Sequence, residues 1–485
     1  MKYDDISLDN LDEFFPENFT DEEKSEAKTI FLKKISLEAH KFYKGKIQVV
    51  PKAGVYGFNW FNVWYTPGVS KISTSIRDNN LLSYETTNRG NSVAVVSDST
   101  RVLGDGDVTP AGGMGVMEGK AFLMKYLGGI DAIPLCINSK DKKGNPQPQK
   151  IIDFVNMVSP SFGAVNLEDI SQPNCYRVLD DLRENCEIPV WHDDAQGTAC
   201  VILAGLINAV KLAGKTLGSI KLVMMGAGAA NSTIAGICIK AGVNPKNIIM
   251  FDKDGSLNSD RKDYEENEKY YHQWELCRTT NPNKINNIED AFKNADAVIA
   301  LSKPGPDTIK PSWISMMNEK SIVFSCANPV PEIYPFAAKK AGAFIVGTGR
   351  GDFPNQVNNS IGFPGILKGT LIVRSSKITD NMAIAAAKAL AEFAENRGIN
   401  PDNIVPKMQE RDVFPFVASK VGVQAINDGV ANLIKSEKEI YLEAENDIKK
   451  SLELIEMMTD NNLIKKPPIS LIKETIDWTI KMIKK

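Results

Sequence analysis

A short apolar strand that runs without a break into a glycine turn leaves few options for the chain after it. Residues 220–225 (IKLVMM) lead straight into Gly226-Ala227-Gly228, a helical stretch follows over 232–241, and a second apolar strand over 247–251 ends at Asp252. Backbone N–H groups at such a turn, with a helix starting beyond it, lie where a pyrophosphate can sit. Gly226 permits the tight turn and Gly228 lets phosphates approach; Asn231 stands where the usual fingerprint has its third glycine. Taken alone, the incomplete fingerprint also fits a plain strand–turn–helix. An acid at the end of the second strand can bind a ribose diol, which is the reading for Asp252. Its carboxylate would repel a 2′-phosphate and favour NAD, whereas nearby Lys253 and Arg261 could reverse that preference, and the residues leave both open.

Further strands over 297–301, 322–325 and 343–346 extend this unit into a Rossmann-type βαβ series. Ahead of it, 92–97 (SVAVVS) and 132–137 (AIPLCI) read as buried strands, 151–158 as a short helix and 163–167 (GAVNL) as another strand, so a second α/β layer is expected. A chain of 485 residues is too long for one ordinary core. The expected fold is α/β, with three parts. Residues 1–195 form N-terminal helices and an α/β catalytic domain, 196–370 a dinucleotide-binding domain, and 371–485 C-terminal helices packing back on the catalytic domain plus a helical tail. Within 1–45, helical spacing predicts one apolar face from Leu32, Ile35, Leu37 and Phe42; His40 there reads as surface or core, not a ligand.

Net charge of −3 and a pI of about 5.9 offer no basic excess for a nucleic-acid partner. The 7 cysteines are scattered without a CxxC pair, which reads as reduced thiols in a cytoplasmic protein. The start, Met1-Lys2-Tyr3-Asp4-Asp5, is acidic and lacks an apolar targeting core. The best apolar run, 198–210, is too short to span a bilayer, so no membrane association is expected.

Two acid pairs follow apolar strands: Glu168-Asp169 after GAVNL, and Asp193-Asp194 after Ile188-Pro189-Val190-Trp191. Adjacent carboxylates repel unless something positive lies between them, and a hard cation with oxygen ligands, Mg²⁺ or Mn²⁺, fits. His192 is read as structural rather than as a ligand. A glycine-rich stretch runs from Gly104 through Gly112, Gly113 and Gly115 to Gly119-Lys120, implying backbone packed closely against a ligand or another segment. Lys120 is expected to begin a helix (KAFLMKYL), either as an ordinary helix lysine or as a buried amine whose pKa is lowered by the neighbouring metal, making it usable as a base. Tyr65-Thr66-Pro67-Gly68 reads as a turn after an aromatic stretch with Trp60, Phe61 and Trp64.

The segments WYTPGVS (64–70), RVLGDGDV (101–108), GKAFL (119–123), NLEDI (166–170), VWHDDAQGTA (190–199), GAGAA (226–230), CANPVPE (326–332) and FPNQVNNSIGFPG (353–365) resemble, together and in this order, the signatures of the malic enzyme family. GKIQVVPK (45–52) is similar to the lead-in of its shorter, prokaryote-like members, and the likeness spans roughly 45–430. The resemblance implies oxidative decarboxylation of malate to pyruvate with reduction of NADP or NAD; short members often use NADP despite an acid at that strand end. It further implies Glu168, Asp169 and Asp194 as ligands of Mg²⁺ or Mn²⁺, Lys120 as general base, Tyr65 as general acid and Asp193 as the proton relay beside Lys120. Arg101 would hold a malate carboxylate, and Asn328 and Asn359 would contact substrate and nicotinamide. Gly226, Ala227, Gly228, Ala229 and Ala230 would bind the pyrophosphate. A homodimer is also implied. A malolactic-type enzyme, converting malate to lactate, would share every motif. Other two-domain dehydrogenases would not need the acid pairs, and a dinucleotide sensor would not need Lys120 and Tyr65.

Overall fold

The computed structural model describes residues 7–102 and 104–484; the acidic start at 1–5 and Leu103 of the RVLGDGDV run lie outside the described residues. The chain divides into two compact units, one formed by the chain up to Val50 together with the chain from Lys450 onward, the other by Pro51–Lys449.

The larger unit holds two sheets. In the first, β1 (Ser92–Ser97), β2 (Asp131–Cys136), β3 (Ala164–Glu168) and β4 (Val190–His192) are all parallel, in the order β2-β1-β3-β4. Strands β1 and β3 are buried on both faces, the usual environment of parallel strands wrapped by helices. Strand β2 is an edge strand and only partly buried, not the buried strand expected from its apolar text. Register decides where the acids go. Ser97 pairs with Glu168, and Leu167 pairs with His192, so Glu168-Asp169 and Asp193-Asp194 emerge side by side at the carboxyl edge.

The second sheet contains β5 (Leu222–Met225), β6 (Ile248–Asp252), β7 (Gly255–Ser256), β8 (Ala297–Ala300), β9 (Ile322–Ser325) and β10 (Ile345–Thr348), ordered β10-β9-β8-β5-β6-β7. Only β7 runs antiparallel. The chain turns to opposite sides of β5, so a crevice opens beyond the carboxyl ends of β5 and β8, the place where open α/β sheets bind ligands. Mixed α/β layers with a Rossmann-type sheet and C-terminal helices are thus the observed fold.

Between the sheets, Asp193–Gly197 forms a wide π turn that continues into the Thr198–Leu212 helix. The combined 20-residue helix, longer than the apolar run legible in the sequence, has the length and composition of a membrane span, yet 78% of its apolar window is buried within the protein. The glycine-rich stretch departs from expectation. Its part from Gly112 to Gly119 lies within one helix, Thr109–Gly128, with Gly104 in the turn before it, so Lys120 sits mid-helix rather than at a helix start. The glycines serve packing: a Cβ on Gly113 would lie 1.9 Å from Ser99 Oγ. The same helix meets the Phe363–Ile372 helix, where a Cβ on Gly128 would come 3.2 Å from the Pro364 carbonyl. That helix packs in turn on Val413–Asn427, with Gly365 against Val417 and Gly369 against Ala418.

In the smaller unit, Thr20 caps the Asp21–Tyr43 helix in a reciprocal pair with Glu23. Phe15, Phe19, Ala27 and Phe31 bury against Ile472 and Ile476 of the Ile469–Ile483 helix. The buried face therefore runs through Ala27, Phe31 and partly buried Ile35, while Leu32, Leu37 and Phe42 are exposed. The expected face was one step off because its partner lies at the far end of the chain. His40 is half-buried and pairs with the Ser36 carbonyl.

Candidate active site

Lys120 reaches from the Thr109–Gly128 helix to the carboxyl edge of the first sheet. Its Nζ donates to Asp193 Oδ2 at 2.5 Å, pairs with Glu168 Oε1 at 3.0 Å and lies 4.8 Å from the centre of the Phe363 ring. Asp193 is fully buried and also accepts from Trp191 Nε1 at 3.2 Å. Glu168 is buried and accepts from Asn166 Nδ2 at 2.7 Å. Asp194 Oδ2 accepts from the Asp169 backbone N–H at 2.6 Å, and Asp169 is held at φ 53, a left-handed conformation tolerated by Asp but strained for most residues. Gly197 is obligatory here, since a Cβ on it would fall 1.9 Å from Asp193 Oδ1.

Three carboxylates, of Asp193, Glu168 and Asp194, thus act on one ammonium, and Asp169 adjoins them. Burial pushes the Asp193 and Glu168 carboxyls above their ordinary range, and Lys120 opposes the shift at both. Burial alone would push Lys120 down, but Asp193, Glu168 and Asp194 outweigh it, and its pKa is raised. Among the protein's own groups, the anionic neighbours dominate the desolvation. His192 is buried with neither ring nitrogen partnered among the described residues, and burial lowers its pKa, so it is a neutral packing group.

The Arg101 backbone N–H donates to the Asp169 carbonyl at 3.0 Å, which ties the Arg101 loop to the acid cluster. In the same loop, a Cβ on Gly104 would come 2.9 Å from the Asn328 carbonyl, and Asn359 Cβ lies 3.3 Å from the Gly197 Cβ position. Arg101 and Asn359 are therefore neighbours of this cluster, and Asn328 adjoins the Arg101 loop at Gly104. Tyr65 is not brought to it. It lies between the Asn59–Trp64 and Val69–Asp78 helices, 74% exposed. Trp191 and Phe363, which orient Asp193 and face Lys120, were missed; both sit inside sequence motifs, but nothing in their spacing signals a role.

The dinucleotide turn is shaped by its neighbours. Gly226 has φ 99, and a Cβ there would lie 2.4 Å from the Leu301 carbonyl. Gly228 opens to free space, with only Gln172 Oε1 at 3.8 Å, as a phosphate approach requires. Ala229 and Ala230 start the Ala229–Lys240 helix, whose N-terminus faces the crevice, with Ala227 buried just before it. Asn231, the departure from the glycine pattern, is buried and donates to the Met225 and Gly226 carbonyls at 3.1 and 2.7 Å, clamping the turn from inside. Buried Gln273, also missed, donates to the Ala227 carbonyl at 3.1 Å and to Tyr176 at 2.9 Å. At the end of β6, Asp252 accepts from Arg261 at 3.0 and 2.7 Å and from the Tyr264 hydroxyl at 2.7 Å. Despite burial, these partners hold its carboxyl below the usual range.

Profiles described as malic enzyme, N-terminal domain, and malic enzyme, NAD binding domain, match residues 46–183 and 195–426. A bifunctional malic/malolactic enzyme of Bacillus subtilis is 39% identical over 410 residues, covering 84% of this chain and 97% of that protein. The chain belongs to the malic enzyme family. An NAD-dependent malic enzyme of Geobacillus stearothermophilus is 41% identical over 388 residues, covering 80% of this chain and 78% of that one. The crystal structure of Entamoeba histolytica malic enzyme superposes with a TM-score of 0.97 at 56% identity, covering 100% of this chain and 99% of that one. Gly226 lies at the strand–helix turn within the matched NAD binding domain. Gly226→Ala would force a strained conformation costing about 1–3 kcal/mol. The dissociation constant for the oxidised cofactor, followed by fluorescence titration, should rise about tenfold; an unchanged constant would remove Gly226 from the phosphate turn.

Proposed function

We propose that the chain converts L-malate to pyruvate and CO₂ with reduction of NAD(P)⁺, in a divalent-metal-dependent reaction. The observation that carries this reading is the buried Lys120 held between Asp193 and Glu168 at the carboxyl edge of the first sheet. The acid cluster fits a hard cation, Mg²⁺ or Mn²⁺, by charge and by donor type: four carboxylates gather at one sheet edge with a single ammonium, and burial pushes the Asp193 and Glu168 carboxyls upward. Glu168, Asp169 and Asp194 would hold it, although among the described residues no three such side chains already converge as a finished ligand set. When bound, the cation supplies Lewis-acid polarisation of the substrate C2 oxygen in both the oxidation and the decarboxylation.

The chain's own groups move the protons. Lys120 donates to Asp193 along a 2.5 Å bond, so Asp193 is placed to relay its proton, and a bound cation would screen the acids that otherwise hold that proton on the amine. The free amine then takes the C2 hydroxyl proton while the C2 hydrogen leaves as hydride to the nicotinamide. Arg101 holds a substrate carboxylate, and Asn328 and Asn359 orient substrate and nicotinamide. After the C3 carboxylate leaves as CO₂, Tyr65 protonates C3 to complete pyruvate.

NADP is the preferred cofactor. The Arg261 guanidinium neutralises Asp252 and stacks on Tyr264 at 4.6 Å, placing positive charge at the strand end that a 2′-phosphate would meet. Initial rates with malate and Mn²⁺ should show a higher kcat/KM for NADP than for NAD, and Arg261→Ala should invert the order. A wild-type preference for NAD would contradict this assignment. The working form is a homodimer in the cytosol; all seven cysteines are free thiols, six of them buried, which supports a reducing compartment.

A further inference from the structure

Glu332 is a carboxylate that the reaction scheme leaves unused. It is wholly buried, and its partners are N–H and hydroxyl donors rather than a cation. Burial pushes its carboxyl above the ordinary range, and the hydrogen bonds from Ser302 and Ala327 oppose that shift. A buried carboxylate without a counter-charge is costly to keep. Its two oxygens face two different loops. Oε1 accepts from the Ser302 N–H at 2.7 Å and from the Ser302 hydroxyl at 3.1 Å, just past the end of β8. Oε2 accepts from the Ala327 N–H at 3.0 Å, just past the end of β9. Each loop carries part of the crevice. On the first, the Leu301 carbonyl and Ser302 Cα lie 2.4 and 3.2 Å from where a Gly226 Cβ would stand, so this loop is the floor of the phosphate turn. On the second, Ala327 leads directly into Asn328, whose carbonyl abuts Gly104. The segment bearing Glu332 is itself tied to the sheet: the Ile309 N–H donates to the Glu332 carbonyl at 3.0 Å, and Ser325 Oγ donates to the Ile333 carbonyl at 2.9 Å.

We infer that Glu332 is a positioning residue that clamps the loops after β8 and β9 at a fixed spacing, so that the phosphate turn at Gly226 and the nicotinamide contact at Asn328 meet one cofactor molecule together. The inference rests on the role proposed for Asn328 above. A carboxylate suits this task because both of its oxygens accept. An amide of the same size has a single acceptor. Whichever way round it sits, one backbone N–H faces a donor and loses its bond. One loop then leaves its place. The phosphate end and the nicotinamide end of the cofactor no longer fit their contacts at once, and the reacting carbons are misplaced.

The test compares Glu332→Gln with Asp296→Asn. Asp296 is the counterpart at the opposite, amino edge of the same sheet. It is a buried carboxylate that accepts from the Lys221 N–H at 2.7 Å, Lys215 Nζ at 2.7 Å and Asn318 Nδ2 at 2.8 Å. Both variants should lower Tm, because each loses a buried hydrogen bond. Only Glu332→Gln should change function. Its dissociation constant for NADP⁺, read by fluorescence titration, should rise about tenfold, and kcat at saturating malate and cofactor should fall about 10–100-fold. Asp296→Asn should keep the wild-type values of both. Glu332→Asp, which retains two acceptors on a shorter stem, should fall between wild type and Glu332→Gln; it carries the test if the Gln variant does not fold. Wild-type values in the folded Glu332 variants, or equal losses in Asp296→Asn, would overturn the clamp and leave the Asn328 role standing. Asn328→Ala is the third arm. Reduced turnover there supports the contact on which the clamp rests, whereas wild-type turnover would overturn that contact, and the clamp with it.

Discussion

Lys120→Ala is expected to abolish malate oxidation, lowering kcat by about 10²–10⁴-fold, the range set by loss of a positioned acid–base group. The substitution also leaves Asp193 and Glu168 without their shared cation. Breaking a buried ion pair in this way costs about 3–5 kcal/mol, so the variant should unfold at lower denaturant. Two readouts separate chemistry from folding. Near-ultraviolet circular dichroism should remain native in dilute buffer, and added small primary amines should restore part of the turnover by filling the vacated space. A folded variant with turnover within tenfold of wild type would take Lys120 out of the proton path.

Removal of divalent cations should have an effect of the same order. Enzyme dialysed against EDTA should lose turnover, and Mn²⁺ or Mg²⁺ should restore it. A cation also relieves repulsion among Glu168, Asp169, Asp193 and Asp194, so its binding stabilises the fold. At a hundred times its dissociation constant a ligand adds about 2.7 kcal/mol of stability, and a rise in Tm with Mn²⁺ should be clear without any substrate. Asp194→Asn should weaken that rise while preserving the fold, because Asp194 is the cluster's more exposed acid, with a side chain 38% exposed. Full activity in EDTA, with no thermal shift on adding Mn²⁺, would count against the cluster as a cation site.

Much of the framework was readable from local pattern. Strands buried on both faces spell continuous apolar text, and each ended close to where the pattern broke: SVAVVS is β1 unchanged, and GAVNL differs from β3 by one residue at each end. The acid pairs were legible because carboxylates directly after apolar strands of a parallel sheet must gather at one edge. What escaped was non-local. The Asp21–Tyr43 helix hides Phe31 against Ile472 and Ile476, and no local periodicity can reveal a partner more than four hundred residues away. The helix was expected to begin only at Lys120 because glycine is a poor helix former. Tertiary contact overrode that preference, since only a bare Cα fits beside Ser99. Asn231, taken as a weakness of the phosphate turn, proved to be a clamp, its amide satisfying two backbone carbonyls that a glycine would leave to other donors.

The account reduces to a reaction stoichiometry, and one measurement reads it. Purified enzyme with L-malate, Mn²⁺ and NADP⁺ is sampled over time for reduced cofactor, CO₂, pyruvate and lactate. Reduced cofactor, CO₂ and pyruvate should accumulate in equal amounts with no lactate. Lactate and CO₂ formed with no net reduced cofactor, or reduced cofactor formed without CO₂, would contradict it.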